Sequence, residues 1–255
     1  MFIFKIVVLS VVVKHVYGFN NFTNVACGKR NFRAGKIVGG YNAIPHEFPW
    51  MASLSKGGSH FCGGTLIADR HILTAGHCLC TGIGEELISP KGLKIVVAQH
   101  DLELTISNTF EMGVEKIIIH PAYSCDENEY TRFSNIIATV AGWGWTDENR
   151  VTGRKSKVLQ KAKVNIFDNN VCQTWYKSQG KKTKILESQI CAGYEHGGVD
   201  ACWADSGGPL MVETGDLFVL VGVVSTGIGC ARPRLPGLYT RISEYIHWIK
   251  STLRS

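Results

Sequence analysis

Past residue 36 the chain consists of short runs of β-branched and aromatic residues punctuated by glycine, at 50–54, 64–67, 93–97, 114–119, 137–141 and 218–225. Such spacing predicts an all-β sandwich or barrel. One helix stands out, at 243–253, where Ser243 is placed as a cap and Ile242, Ile246 and Ile249 fall on one face. No internal repeat or low-complexity segment interrupts the pattern.

The chain starts MFIFKIVVLSVVV, an apolar run with an early lysine that breaks at Lys14. Val16 and Gly18 then supply the small residues of a signal-peptidase site. A spanning helix needs about 20 apolar residues, more than this run offers, and no later segment is apolar enough to cross a bilayer. Residues 1–18 are therefore expected to be a signal peptide and the protein to be secreted and extracellular, with no membrane partner. Residues 19–36 are polar and basic, end in Arg33-Ala-Gly-Lys36, and read as a detachable propeptide carrying the glycan acceptor Asn21-Phe22-Thr23. Residues 37–255 are left as one domain, or two small ones, able to bury a substantial core.

The formal charge of +6 includes Lys5 and Lys14 of the leader. The remaining excess lies partly in runs at 154–157 and 181–184, read as solvated loops and edge strands. No basic helix or aromatic-basic alternation is present, which excludes a nucleic-acid partner. Nine cysteines occur, at 27, 62, 78, 80, 125, 172, 191, 202 and 230. In an exported chain they should pair, and an odd total leaves one over. The absence of any Cys-x-x-Cys pair, with Cys78-Leu-Cys80 too tight, argues against zinc, and no metal or other cofactor is expected.

Two segments carry chemistry. LTAGHC at 73–78 places His77 beside Cys78, and DACWADSGGPL at 200–210 places Ser206 among glycines that let backbone N–H groups turn inward. A nucleophilic serine needs a base within reach, an orienter for that base, and donors for an oxyanion. Histidine precedes serine and Ala204 stands where an α/β-hydrolase elbow would have glycine, which excludes that rival.

The chain resembles the trypsin-like serine proteases of the chymotrypsin family from Ile37 to its end, apart from one gap. The resemblance rests on IVGG at 37–40, FPWMASL at 48–54, CGGTLI at 62–67, LTAGHC, AGWG at 141–144, DACWADSGGPL and GCARPRLPGLYTRIS at 229–243. It implies two packed antiparallel six-stranded β-barrels with a C-terminal helix. His77 becomes general base, Ser206 nucleophile, and the backbone N–H groups of Ala204 and Ser206 the oxyanion hole.

The resemblance also implies a zymogen. A trypsin-like protease would cut after Lys36, and the freed Ile37 ammonium would enter the protein and pair with Asp205, switching the surrounding loops. Asp200 would lie at the bottom of a pocket kept open by Gly227 and Gly237, which favours arginine or lysine in a protein or peptide substrate. Protein inhibitors would compete for the same cleft. Bridges Cys62–Cys78, Cys172–Cys191 and Cys202–Cys230 follow from the resemblance. It also puts Cys80 and Cys125 on loops flanking the cleft and leaves an additional bridge between them open. Calcium is not expected, because Gln99 stands where calcium-binding relatives place a carboxylate.

The gap lies where relatives run from HPxY through NDIAL, which carries the triad aspartate, to AGWG. This chain has His120-Pro-Ala-Tyr123, then Ser134-Asn135-Ile136-Ile137-Ala138, and reaches Ala141 almost at once. The aspartate, a first-barrel strand, most of the inter-barrel connection and the usual partner of Cys27 are all missing, and one contiguous omission explains them together. The first barrel is therefore expected to be incomplete and Cys27 to be unpaired or linked between chains. Asp126, Glu127 and Glu129 lie near the gap in sequence, but loop acids are ordinarily solvated charges. Ala204, where relatives have glycine, and Thr226, where most have tryptophan, point instead toward gradual erosion. The expectation is a secreted trypsin-like endopeptidase severely impaired as written. A non-catalytic homologue that binds proteins through the old cleft, or a defective isoform, stands as the alternative.

Overall fold

The computed structural model describes residues 6–12, 28–29, 41–79, 88–104, 109–119, 136–149, 151 and 153–253. In chain order the first half contributes β1 (Ile6–Val12), β2 (Tyr41–Asn42), β3 (Met51–Lys56), β4 (Ser59–Ala68), β5 (His71–Ala75), β6 (Leu93–Val97) and β7 (Phe110–Ile119). The second contributes β8 (Ile136–Gly142), β9 (Gln160–Phe167), α1 (Asn169–Ser178), β10 (Gln189–Gly193), β11 (Pro209–Thr214), β12 (Leu217–Thr226), β13 (Gly237–Arg241) and α2 (Ile246–Thr252). Every run predicted from the sequence overlaps one of these strands.

The first sheet closes as a barrel in the order β1-β5-β4-β3-β6-β7. The second runs β10-β13-β12-β11-β8-β9-β2, and an additional pairing of β10 with β9 curls it back on itself. This is the expected chymotrypsin-like pair of barrels, with one correction. The first barrel is closed rather than incomplete, because β1 pairs antiparallel with both β5 and β7. Ile136 and Ile137, in the stretch that stands in place of NDIAL, belong to the second sheet, where β8 lies between β11 and β9.

Each sheet wraps its own apolar core. Leu54, Ile72, Leu73, Leu93 and Ile95 fill the first, and Val164, Ile166, Ile190, Leu210 and Tyr239 the second. Each such side chain stabilises the fold by roughly 1.5–3 kcal/mol. Between the two, Phe48, Met51, Trp143, Met211 and Phe218 join strands of both sheets. A charged pair is buried at the same junction: Lys161 Nζ donates to both Glu47 carboxylate oxygens at 2.6 and 2.7 Å, and Glu47 also accepts from Ile44 N–H at 2.9 Å. Next to it Tyr41 pairs with Lys161, which fixes β2 to β9.

The helices differ from expectation. At the C-terminal end Ile242–Tyr245 forms a 3-10 turn, and the α-helix begins only at Ile246, so Ser243 lies inside the turn and does not cap it. Ile242, Tyr245 and Ile249 still pack on the first core, which is why the apolar spacing is present. No apolar period announces α1, whose cap is Asp168 accepting from Asn170 N–H at 2.8 Å. Its buried face is narrow, Cys172 and Tyr176, too little to set up an apolar period. Gly28 and Lys29, in the stretch read from the sequence as a propeptide, are paired as well: Phe218 N–H donates to the Gly28 carbonyl at 2.8 Å, and Lys29 bridges Leu217.

Candidate active site

His77 sits in the 3-10 turn Gly76–Leu79, immediately after β5. Its neighbour Cys78 is bridged to Cys62 on β4, so the turn is stapled to the barrel wall. Burial pushes the imidazole down to about 4.

Ser206 comes from the other sheet, in the loop that leads into β11. The two sheets meet at this loop: Gly63 N–H on β4 donates to the Ser206 carbonyl at 2.7 Å, and Cys78 Sγ lies 3.7 Å from the same oxygen. Gly207, at φ +85°, fits so closely that a Cβ would stand 2.1 Å from Thr74 Oγ1 and 2.2 Å from the Gly63 carbonyl. The loop carrying Ser206 is thus pressed against the strand end that carries His77.

Asp205 is held beneath the loop. Its carboxylate accepts from Gly144 N–H at 2.7 Å and from Cys202 N–H at 2.9 Å. A Cβ on Gly142 or Gly144 would fall 2.1 or 2.3 Å from that carboxylate, which explains the glycines of AGWG. Burial raises Asp205 to about 6, although the two N–H donors pull the other way. Ala204 has φ +72°, in the left-handed region that glycine tolerates and alanine resists.

One residue here had no signal in the sequence. His60 Nε2 lies 3.2 Å from the Ala204 carbonyl, its Nδ1 lies 2.8 Å from Ser53 Oγ, and its ring meets Trp143 edge-on at 5.8 Å. Burial is the main cause that lowers His60 to about 4. Lys155, exposed as expected of that basic run, also donates to the His60 carbonyl at 2.9 Å.

Asp200 lies at the mouth of β13. It accepts from Ala201 N–H at 2.8 Å and Ala231 N–H at 3.2 Å, and burial raises it to about 7. Gly227, just past β12, and Gly237, which opens β13, face each other: a Cβ on Gly227 would lie 3.9 Å from Gly237 Cα. A Cβ on Gly237 would lie 2.6 Å from Asp200 Oδ1. The Cys202–Cys230 bridge ties the two sides of this space together. Trp203 and Trp145 stack edge-on at 6.1 Å on the surface beside Ala204.

The structure also contains Cys62–Cys78 and Cys172–Cys191, as the resemblance implied. Lys36, Ile37, Cys27, Cys80, Cys125, Asp126, Glu127 and Glu129 lie outside the described residues. Among the described residues Cys62, His77 and Cys78 bring ligand atoms within 4.8 Å of one another. Both sulfurs are in the disulfide, so neither offers a thiolate to a metal. No helix among the described residues is long and apolar enough to cross a membrane.

The family model for trypsin matches the chain in two abutting segments, residues 37–133 and 134–249. With the two-barrel fold, the match establishes that the chain belongs to the trypsin-like serine proteases of the chymotrypsin family.

Proposed function

We propose that the protein is an exported trypsin-like endopeptidase, made as a zymogen, that cleaves after arginine or lysine and works far below the rate of its relatives. Residues 1–18 serve as the export signal and 19–36 as the propeptide. Cleavage after Lys36 by another trypsin-like protease frees the Ile37 ammonium for Asp205. The partners are protein or peptide substrates and protein inhibitors that enter the same cleft.

The observation that carries the specificity is the buried carboxylate of Asp200 against Gly237, which Gly227 faces. A carboxylate raised to about 7 by burial is short of positive charge. A lysyl or arginyl side chain lying between Gly227 and Gly237 supplies that charge. His77 then takes the Ser206 proton as Oγ attacks the carbonyl carbon. The new oxyanion is received by the Ala204 and Ser206 N–H groups, and the proton passes on to the leaving amine.

The sequence supports impairment: Asn135 is followed by Ile136 where relatives carry the triad aspartate, the group that holds the base in its correct tautomer and stabilises the imidazolium. The two family-model segments abut at 133 and 134, next to Asn135 where NDIAL is interrupted, which supports loss of one block. In this family's triad, replacing the acid by its amide lowers turnover about 10⁴-fold, roughly 5.5 kcal/mol of barrier.

Protein activated at Lys36 is expected to hydrolyse arginyl or lysyl esters at least ~10³-fold more slowly than ordinary relatives. The residual rate should vanish in Ser206→Ala and recover when an NDIAL-containing segment is restored. Near-normal turnover that disappears with Asp126→Asn, Glu127→Gln or Glu129→Gln would show a surrogate acid and refute the impairment.

The strained φ of Ala204 favours a second reading, a homologue that binds proteins through the cleft without cutting them. Folded, inactive protein that captures a partner would support it. A defective isoform would instead fail to fold at all.

A further inference from the structure

We propose that Ile6–Val12, read from the sequence as part of a leader, is a retained structural strand that takes the place of the strand omitted from the first barrel. The backbone evidence is pairing on both sides. Ile6, Val7, Val8, Leu9 and Ser10 lie opposite Ala75, Thr74, Leu73, Ile72 and His71 of β5. Val7, Val8, Leu9 and Ser10 lie opposite Ile119, Ile118, Ile117 and Lys116 of β7, and after a bulge Val11 and Val12 meet Val114 and Gly113.

Among the described residues β5 has only β4 on its other side and β7 only β6. Removing β1 leaves two strand edges facing one slot, each with unpaired N–H and C=O groups that invite aggregation. The occupant must be apolar and β-forming. IVVLSVV is rich in the β-branched residues that favour strands. A short apolar run of this kind serves equally as the core of a leader or as a buried strand.

A second contact holds the N-terminal region from the other sheet. Gly28 accepts from Phe218 N–H at 2.8 Å and has φ +75°, and a Cβ there would stand 2.3 Å from the Phe218 carbonyl. Within segment 1–36, residues 6–12 therefore pair with the first barrel and residues 28–29 with the second sheet. The segment remains bound after a cut at Lys36, so the first barrel keeps its sixth strand in the activated protein. Export then proceeds without loss of residues 6–12.

The test uses the full chain secreted from a eukaryotic host. Intact mass and terminal sequencing should find residues 6–12 in the folded product, and after cleavage at Lys36 the 1–36 peptide should co-elute with the remainder on gel filtration. In the full chain, Ser10→Cys with Lys116→Cys should form a disulfide, whereas Ser10→Cys with Glu111→Cys should not. Val8→Pro, which removes a ladder N–H, should lower Tm or yield aggregate. A folded, monomeric product that begins at Phe19 would overturn the proposal, as would a Val8→Pro variant with unchanged Tm. These readouts do not use catalysis, so a failed esterase assay leaves them intact.

Discussion

His60 Nε2 stands 3.2 Å from the Ala204 carbonyl oxygen. A carbonyl only accepts, so this nitrogen carries the proton and Nδ1 accepts from the Ser53 hydroxyl. One neutral tautomer thus links β3, β4 and the loop that carries Ala204 and Ser206. Replacement by His60→Ala leaves the Ala204 carbonyl and Ser53 hydroxyl without this partner, at a cost of about 1–3 kcal/mol. Differential scanning calorimetry should show Tm falling by about 2–4 °C for each kcal/mol. An unchanged Tm would mean the contact is incidental.

Ala204→Gly should have the opposite sign. Alanine in the left-handed region costs about 1–2 kcal/mol, and the extra freedom of unfolded glycine returns about 0.4–1 kcal/mol of that. The net gain is roughly 0.5–1 kcal/mol, readable in urea unfolding. Any esterase activity should rise as well, because the N–H at position 204 no longer depends on a strained backbone. A loss of stability would show that the +72° conformation is not the one held in solution.

The pH profile combines opposing contributions. Asp200 and Asp205 are raised to about 7 and about 6, so their stability is fully present below about 4 and lost as pH rises through those values. His60 and His77 are lowered to about 4, so theirs is present above about 6.5 and lost as pH falls toward 4. The displacements are comparable and should largely offset between pH 4 and 6.5. Asp200→Asn removes one aspartate contribution and should make stability climb with pH in that window. A cationic amidine should bind the wild-type chain more tightly as pH rises toward about 7, and no longer after Asp200→Asn. Affinity independent of pH would remove Asp200 from the pocket.

The Glu47–Lys161 pair is 1% and 6% exposed, so neither charge can fall back on water. Lys161→Met alone should cost about 3–5 kcal/mol, because it strands a buried carboxylate. Adding Glu47→Leu should recover most of that loss. Equal destabilisation in the single and double variants would contradict this.

What the sequence disclosed follows from how local each signal is. Ser206, Asp205 and Asp200 lie in one short segment, and the glycines around them mark where backbone or carboxylate approaches too closely for a Cβ. His60 was invisible because its partners Ser53 and Ala204 are 7 and 144 residues away, and a lone histidine in SHFCGG has no local pattern. Ile6–Val12 was legible as apolar but ambiguous in use, since only the vacant slot between β5 and β7 distinguishes a strand from a leader. Helix α1 was missed because just Cys172 and Tyr176 of its residues are buried.

The pairing of Tyr41 with Lys161 sets the length of a leash. Three residues, Val38, Gly39 and Gly40, lie between Ile37 and that fixed point, and the four extended steps span at most about 14 Å. Under the proposed cut at Lys36, the new terminal ammonium would search within about that radius, and its effective concentration would fall roughly as the −3/2 power of the leash length. Two extra residues between positions 37 and 41 would lengthen it to about 21 Å and thin the ammonium roughly twofold. Activation by the proposed cut would thus be tuned by how few residues precede β2, which is fixed beside the buried Glu47–Lys161 pair and away from the proposed catalytic groups.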